Sequence, residues 1–182
     1  MLNRLPSALG LVLLLCVPML FVVTVHRATD RRLLVPGDPA PPLTAQDLNS
    51  GETRQINFTG RRSVILFFGA DCPHCQRELV GFDRLHTTHA FQMDFLAISQ
   101  SEALKTVNLQ HSMKLRAPIM IDGKREGSMA FGVEAVPALF LVDEKGIVVF
   151  SRSGELSFAA MEKAISRIFD DNGREKNHGS VH

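Results

Sequence analysis

Cysteine is scarce in this chain. Only Cys16, Cys72 and Cys75 occur among its 182 residues, and Cys16 lies inside an apolar stretch. At most one intramolecular pair is expected, which excludes a fold stapled by a disulfide framework. An excess of one charge sign is missing too: 20 Lys and Arg stand against 19 Asp and Glu, a formal net charge of +1. No basic field is present to hold a nucleic acid. Internal repeats are absent. What is present is length enough for one domain with a hydrophobic core, plus an appendage.

That appendage is the apolar run from Leu5 to Val25, 21 positions without a charged side chain. About 20 such residues suffice for a helix to cross a bilayer. A cleaved secretory signal is the competing reading, but the run is long for one and His26-Arg27-Ala28 makes a poor cleavage site. Leu13-Leu14-Leu15-Cys16 has the outline of a lipidation box, with Leu15 too bulky for the small residue such a box needs. The sequence therefore predicts an uncleaved membrane anchor over residues 1–28. Arg4 precedes the span, and Arg27, Arg31 and Arg32, offset by Asp30, follow it. The charge balance alone would put the following domain in the cytoplasm. A short basic start before an apolar span is the usual arrangement of exported proteins, and on that ground the domain is expected outside the cytoplasm, in the periplasm.

Residues 29–42 are charged and then rich in proline, which suits a spacer between membrane and domain. A domain is expected over residues 43–170, followed by a loose polar tail over 171–182. Within the domain, Leu43 to Phe58 read as a β-hairpin turning at Asn49-Ser50-Gly51-Glu52. Ser63 to Phe68 is apolar on both faces, as a central strand would be. A helix is predicted from Pro73 to about His89, with Leu79, Phe82 and Leu85 inward. A strand over Phe91–Ile98 follows. A second helix is predicted with Ser101 as its N-cap and Leu104, Val107 and Leu109 as its stripe. A short strand over Ala117–Ile121, a short helix over 126–131, a hairpin of 138–142 with 147–150 turning at Asp143-Glu144-Lys145-Gly146, and a closing helix over 156–169 complete the domain.

The most informative residues are Cys72-Pro73-His74-Cys75, placed where the apolar strand gives way to the first helix. Two thiols spaced C-x-x-C across a strand-to-helix turn form and break a disulfide with little backbone movement. The helix N-terminus favours a thiolate on the first, and only the thiolate attacks a disulfide. The same residue types also bind zinc, but that needs a second Cys/His pair, for which only His86 and His89 on the same helix offer themselves.

The order of elements, the segment Phe67-Phe68-Gly69-Ala70-Asp71-Cys72-Pro73-His74-Cys75-Gln76-Arg77-Glu78, the approach Phe131-Gly132-Val133 to Pro137, and the Phe140-Leu141-Val142-Asp143-Glu144-Lys145-Gly146 hairpin resemble the thioredoxin superfamily. Within it, the TlpA/ResA-like branch of membrane-anchored thiol–disulfide oxidoreductases (the redoxin, or AhpC/TSA-like, domain) is most similar, over roughly residues 38–169. The resemblance implies a three-layer α/β/α fold with a mixed central sheet and an N-terminal β-hairpin, preceded by one transmembrane helix. It implies that Cys72 is the nucleophile and Cys75 the buried resolving thiol, with their disulfide as the redox group and no separate cofactor or metal. By the same resemblance Pro137 is a cis-proline beside the sulfurs, and Val136 offers backbone hydrogen bonds to an extended substrate peptide. Glu78 is placed to exchange a proton with Cys75. His74, when protonated, would stabilise the Cys72 thiolate and move the couple toward the oxidising side.

Three positions depart from the family pattern. Asp71 stands where relatives carry Trp, and its anion opposes the thiolate. Phe68 fills another common Trp position, and Leu66 replaces a buried Asp. The implied activity is exchange of electrons with protein thiols or disulfides, with apocytochrome c thiols a candidate substrate by analogy. A membrane electron carrier of the DsbD/CcdA type is the implied partner. Two other functions share the fold: a peroxiredoxin-like thiol peroxidase, for which the Thr three residues ahead of Cys72 is missing, and a copper-binding assembly protein, for which the C-x-x-C spacing is one residue short.

Overall fold

The computed structural model describes residues 32–175. The predicted anchor with Cys16 and the end of the predicted tail lie outside the described residues. Among the described residues no helix is long and apolar enough to cross a membrane.

Seven strands form one sheet: β1 (Leu43–Asp47), β2 (Thr53–Ile56), β3 (Ser63–Phe68), β4 (Asp94–Ser99), β5 (Ile119–Ile121), β6 (Ala138–Val142) and β7 (Val148–Ser153). Their spatial order is β2-β1-β5-β4-β3-β6-β7. β3, β4 and β5 run parallel, whereas β1 pairs antiparallel with β5 and β6 antiparallel with β3. The sheet is mixed, as expected, and β3 lies inside it with all six residues buried. A strand covered on both faces cannot alternate polar and apolar residues, which is why 63–68 is a continuous apolar run.

Alternate residues of β3 feed two cores. Val64, Leu66 and Phe68 face the layer that contains α1 (Pro73–His89) and the closing helix, while Ile65 and Phe67 face the other side with Leu43, Phe58, Phe131 and Phe140. On that second side Phe140 packs edge to face against Phe67 and Phe131, which are tilted to each other, with centroids 5.1 to 5.8 Å apart. Burying each such ring stabilises by about 1.5–3 kcal/mol.

The helices after α1 are α2 (Ala103–Met113), α3 (Glu126–Ala130) and α4 (Phe158–Glu175). On α2 the expected stripe is met in part, with Leu109 packed against the first core and Val107 half-buried. Leu104 is exposed, and the buried side chain is Thr106, whose hydroxyl bonds that of Ser99 on β4 at 2.8 Å. Ser101 is not the cap either: Glu102 holds that position, and the Ser101 hydroxyl serves another segment. α3 depends on Asp122, whose carboxylate accepts the N–H groups of Gly127 and Ser128 and the Ser128 hydroxyl. These bonds satisfy helix donors that five residues cannot satisfy internally.

Two boundaries differ from the sequence reading. The strand expected from Phe91 starts at Asp94, because the N–H groups of Gln92 and Met93 both turn back to the His89 carbonyl. Phe91 is left 98% exposed. The closing helix runs to Glu175, past the expected end at 169. The proline-rich segment read as a spacer is also not free along its length. Gly37 N–H donates to Val148 O and Ala40 N–H to Gly146 O, while Leu33, Leu34 and Ala40 pack against the second core.

Candidate active site

Cys72 is the N-cap of α1. Its φ and ψ are −95° and 111°, and its sulfur accepts the Cys75 N–H at 3.2 Å, the contact a Ser or Asp oxygen makes at ordinary caps. Pro73 occupies the first turn, where no N–H is needed. The turn beneath the sulfur is tied from two sides. Ser101 Oγ accepts the Ala70 N–H at 2.9 Å, and Gln76 Nε2 donates to the Ala70 carbonyl at 2.8 Å.

Cys72 is partly exposed and Cys75 fully buried, and both thiols are free. Burial pushes the Cys75 thiol up to about 12, helped by its hydrogen bond with Cys72 and by the nearby charges of Cys72 and Glu78. One thiol is open to a partner, and the other is held protonated behind it. The Val136–Pro137 peptide is cis, as expected, and the Val136 carbonyl lies 4.0 Å from Cys72 Sγ. Pro137 is buried and Val136 partly so.

Glu78 is 1% exposed, on the side of α1 that faces the core. Its Oε2 accepts the Leu156 N–H at 3.1 Å, and its Oε1 has no partner. Burial raises its pKa to about 7, against the lowering effect of the Leu156 bond and with a small push from Glu155. Leu66, in the strand position of the missing Asp, is fully buried. The buried carboxyl of this site therefore comes from the helix.

His74 stands at the surface and is not alone. Its Nδ1 lies 2.6 Å from Glu155 Oε2 and 2.7 Å from Arg77 Nη2. Arg77 also grips Glu155 through both nitrogens of a fork, at 2.8 and 2.6 Å. Hydrogen bonds from Arg77 and then His74 hold the Glu155 carboxyl down to about 2. Asp71, read as opposing the thiolate, is paired with Lys105 Nζ at 2.7 Å. Its anion is therefore compensated by a cation from α2.

The structure thus brings Cys72, His74, Cys75, Glu78, Val136 and Pro137 to one end of the sheet. His86 and His89 sit at the opposite end of α1 from the two thiols. Among the described residues no three His, Cys, Asp or Glu side chains gather as a metal site would need. The sequence reading missed Glu155, Arg77, Ser101 as a turn clamp, and Lys105. Glu155 is 81 positions from His74, and no local pattern links them.

The AhpC/TSA family profile matches residues 36–151. A thiol–disulfide oxidoreductase ResA from Geobacillus thermodenitrificans is 27% identical over 148 residues, covering 80% of this chain and 85% of its own length. The crystal structure of StoA from Bacillus subtilis matches with a TM-score of 0.59 at 22% identity, over 70% of this chain and 98% of StoA. Peroxidoxin BcpB from Mycobacterium tuberculosis matches with a TM-score of 0.65 at 21% identity, over 75% of this chain and 98% of its own. The two structural matches speak for the fold, and the fold is thioredoxin-like. A partly exposed capping thiol, a buried second thiol and a cis-proline loop beside them agree with the sequence match, and the chain accordingly belongs to the AhpC/TSA family of the thioredoxin superfamily, as a thiol–disulfide oxidoreductase of the ResA type.

Proposed function

We propose that this oxidoreductase acts on cysteine pairs of protein substrates outside the cytoplasm, tethered to a membrane through residues 1–28. The observation that carries the reading is the asymmetry of the dithiol: Cys72 open at the helix start, Cys75 buried behind it. As a reductant, the Cys72 thiolate attacks one sulfur of a substrate disulfide. A Cys72–substrate bond forms, and the other substrate sulfur leaves as a thiolate. Cys75 then loses its proton to Glu78 and attacks Cys72. The second substrate thiolate leaves, and the Cys72–Cys75 disulfide holds the oxidised state. Two electrons have passed to the substrate, so a dithiol donor must return them. A membrane carrier of the DsbD/CcdA type fits that role, and apocytochrome c thiols are the candidate substrate. The reverse sequence would oxidise a substrate dithiol.

Val136 and Pro137 form the wall beside Cys72, where an extended peptide would lie against the loop. The test is equilibration of the protein in glutathione buffers with thiol trapping and mass analysis. A single two-electron transition that pairs Cys72 with Cys75 is expected. Failure of those two residues to pair would overturn the reading. A reporter fused after residue 182 fixes the side of the membrane, and a cytoplasmic signal would overturn the assigned location.

A peroxidase reading draws support from the fold likeness to peroxidoxin BcpB. Hydrogen peroxide consumption with a dithiol donor separates the two. Turnover of peroxide at rates above disulfide exchange would favour the peroxidase.

A further inference from the structure

We propose that Glu155 is a positioning residue that ties up two basic side chains on the first turns of the dithiol's helix, His74 and Arg77, and so keeps the couple reducing. This rests on the dithiol reading above. His74 and Arg77 both lie on the first turns of α1, the helix whose cap is the Cys72 sulfur. Left unpaired, each would favour charge on that sulfur, and a thiolate stabilised in the reduced form makes a couple more oxidising. Arg77 does feel the charge of Cys72. Glu155 instead takes both cations onto one carboxylate, reaching in from the segment after β7.

The geometry makes Glu155 the hub. Its Oε2 is 2.6 Å from His74 Nδ1 and 2.6 Å from Arg77 Nη2, and its Oε1 is 2.8 Å from Arg77 Nε. His74 Nδ1 can donate to Glu155 or accept from Arg77, but one ring nitrogen cannot do both at once. A ring that donates from Nδ1 does so to Glu155, whose carboxylate then holds both side chains. The carboxylate is also anchored. The N–H of the next residue, Leu156, is held by Glu78 inside the protein. Of the other charged groups described at the site, Asp71 is paired with Lys105 and Glu78 is buried. The Asp71 carboxylate bonds Lys105 and that of Glu78 bonds the Leu156 N–H, whereas Glu155 holds both His74 and Arg77.

The experiment compares glutathione equilibration of the full chain and its Glu155→Gln variant, with circular dichroism to check the fold. The variant should be reduced about tenfold more readily, a shift of about 30 mV toward oxidising. Glu155→Asp, which keeps the charge, should return the constant to within about threefold of the parent. On a His74→Leu/Arg77→Met background, Glu155→Gln should change it less than about twofold. An unchanged constant in Glu155→Gln would overturn the proposal, as would a tenfold shift that persists on that background. If Cys72 and Cys75 never pair in the parent chain, the dithiol reading itself falls; if they pair and the constants do not move, only the role of Glu155 falls.

Discussion

Oε2 of Glu78 accepts the Leu156 N–H across 78 residues of sequence, while Oε1 of the same carboxyl is buried without a partner. A carboxylate in that position lacks the solvation that water or several donors would supply, so the neutral acid is favoured. The same side chain stands three residues after Cys75, whose thiol must lose a proton before it can resolve a mixed disulfide. On the proposed mechanism Glu78, with a pKa of about 7, takes the proton of a thiol held at about 12.

Glu78 imposes a pH dependence on stability. Its pKa rises from 4.5 in the unfolded chain to about 7 in the fold, so the native state holds the proton more tightly. The stabilisation is complete below pH 4.5 and is lost as pH rises through 7. Its size is about 3 kcal/mol. Urea titrations of the parent chain and Glu78→Gln between pH 4.5 and 8 should differ by a curve of that sign. Parallel curves would remove Glu78 as the cause.

Glu78→Gln should also separate the two chemical steps. Attack by Cys72 on a model peptide disulfide should stay within a few-fold of the parent rate. Release of the mixed disulfide should slow by about 100-fold, the low end of what a positioned base contributes. Quenched-flow trapping of the peptide adduct measures both. Equal slowing of the two steps would contradict a base at Cys75.

Cys75→Ser should accumulate the Cys72–peptide mixed disulfide, and Cys72→Ser should form no adduct. Mass analysis after acid quench distinguishes them. Because Cys75 is fully buried, the serine hydroxyl costs about 1–3 kcal/mol and lowers the melting temperature.

Ser101→Ala removes the acceptor of the Ala70 N–H, at a residue 4% exposed. An unpaired donor there costs about 1–3 kcal/mol, read by urea denaturation. The turn that carries Cys72 loses one of its two ties, so attack on a model disulfide should slow while the midpoint of glutathione equilibration stays near that of the parent.

Gly127→Ala probes the second face of the sheet. A Cβ there would run into Cδ1 of Leu43, a fully buried residue of β1, and approach Asp122 Oδ2 at 3.4 Å. Leu43 must move or α3 must lift, at about 1–3 kcal/mol. Thermal unfolding should show the loss without a change in disulfide exchange rate at 25 °C.

Local sequence carried much of this protein on its face. The run 63–68 reads as a covered strand, and Cys72-Pro73-His74-Cys75 as the opening of a helix, since Pro73 is tolerated in a helix only at its first turn. Both signals lie within a few residues, where composition and backbone sterics decide the outcome. The pairing of Val136-Pro137 with the thiols was readable through the family resemblance.

The tuning of the site was a matter for the tertiary structure. Glu78 on the sequence is as consistent with a solvated helix face as with a core carboxyl, and packing against the segment at Leu156 decided for the core. Asp71 read as an uncompensated anion until α2 brought Lys105 beside it. Glu155 became part of the site because the chain after β7 returns to the mouth of α1. Electrostatic effects depend on distance and burial, and those are set by contacts between residues tens of positions apart. Sequence determined which groups can exchange electrons; the folded arrangement decided which charges surround them.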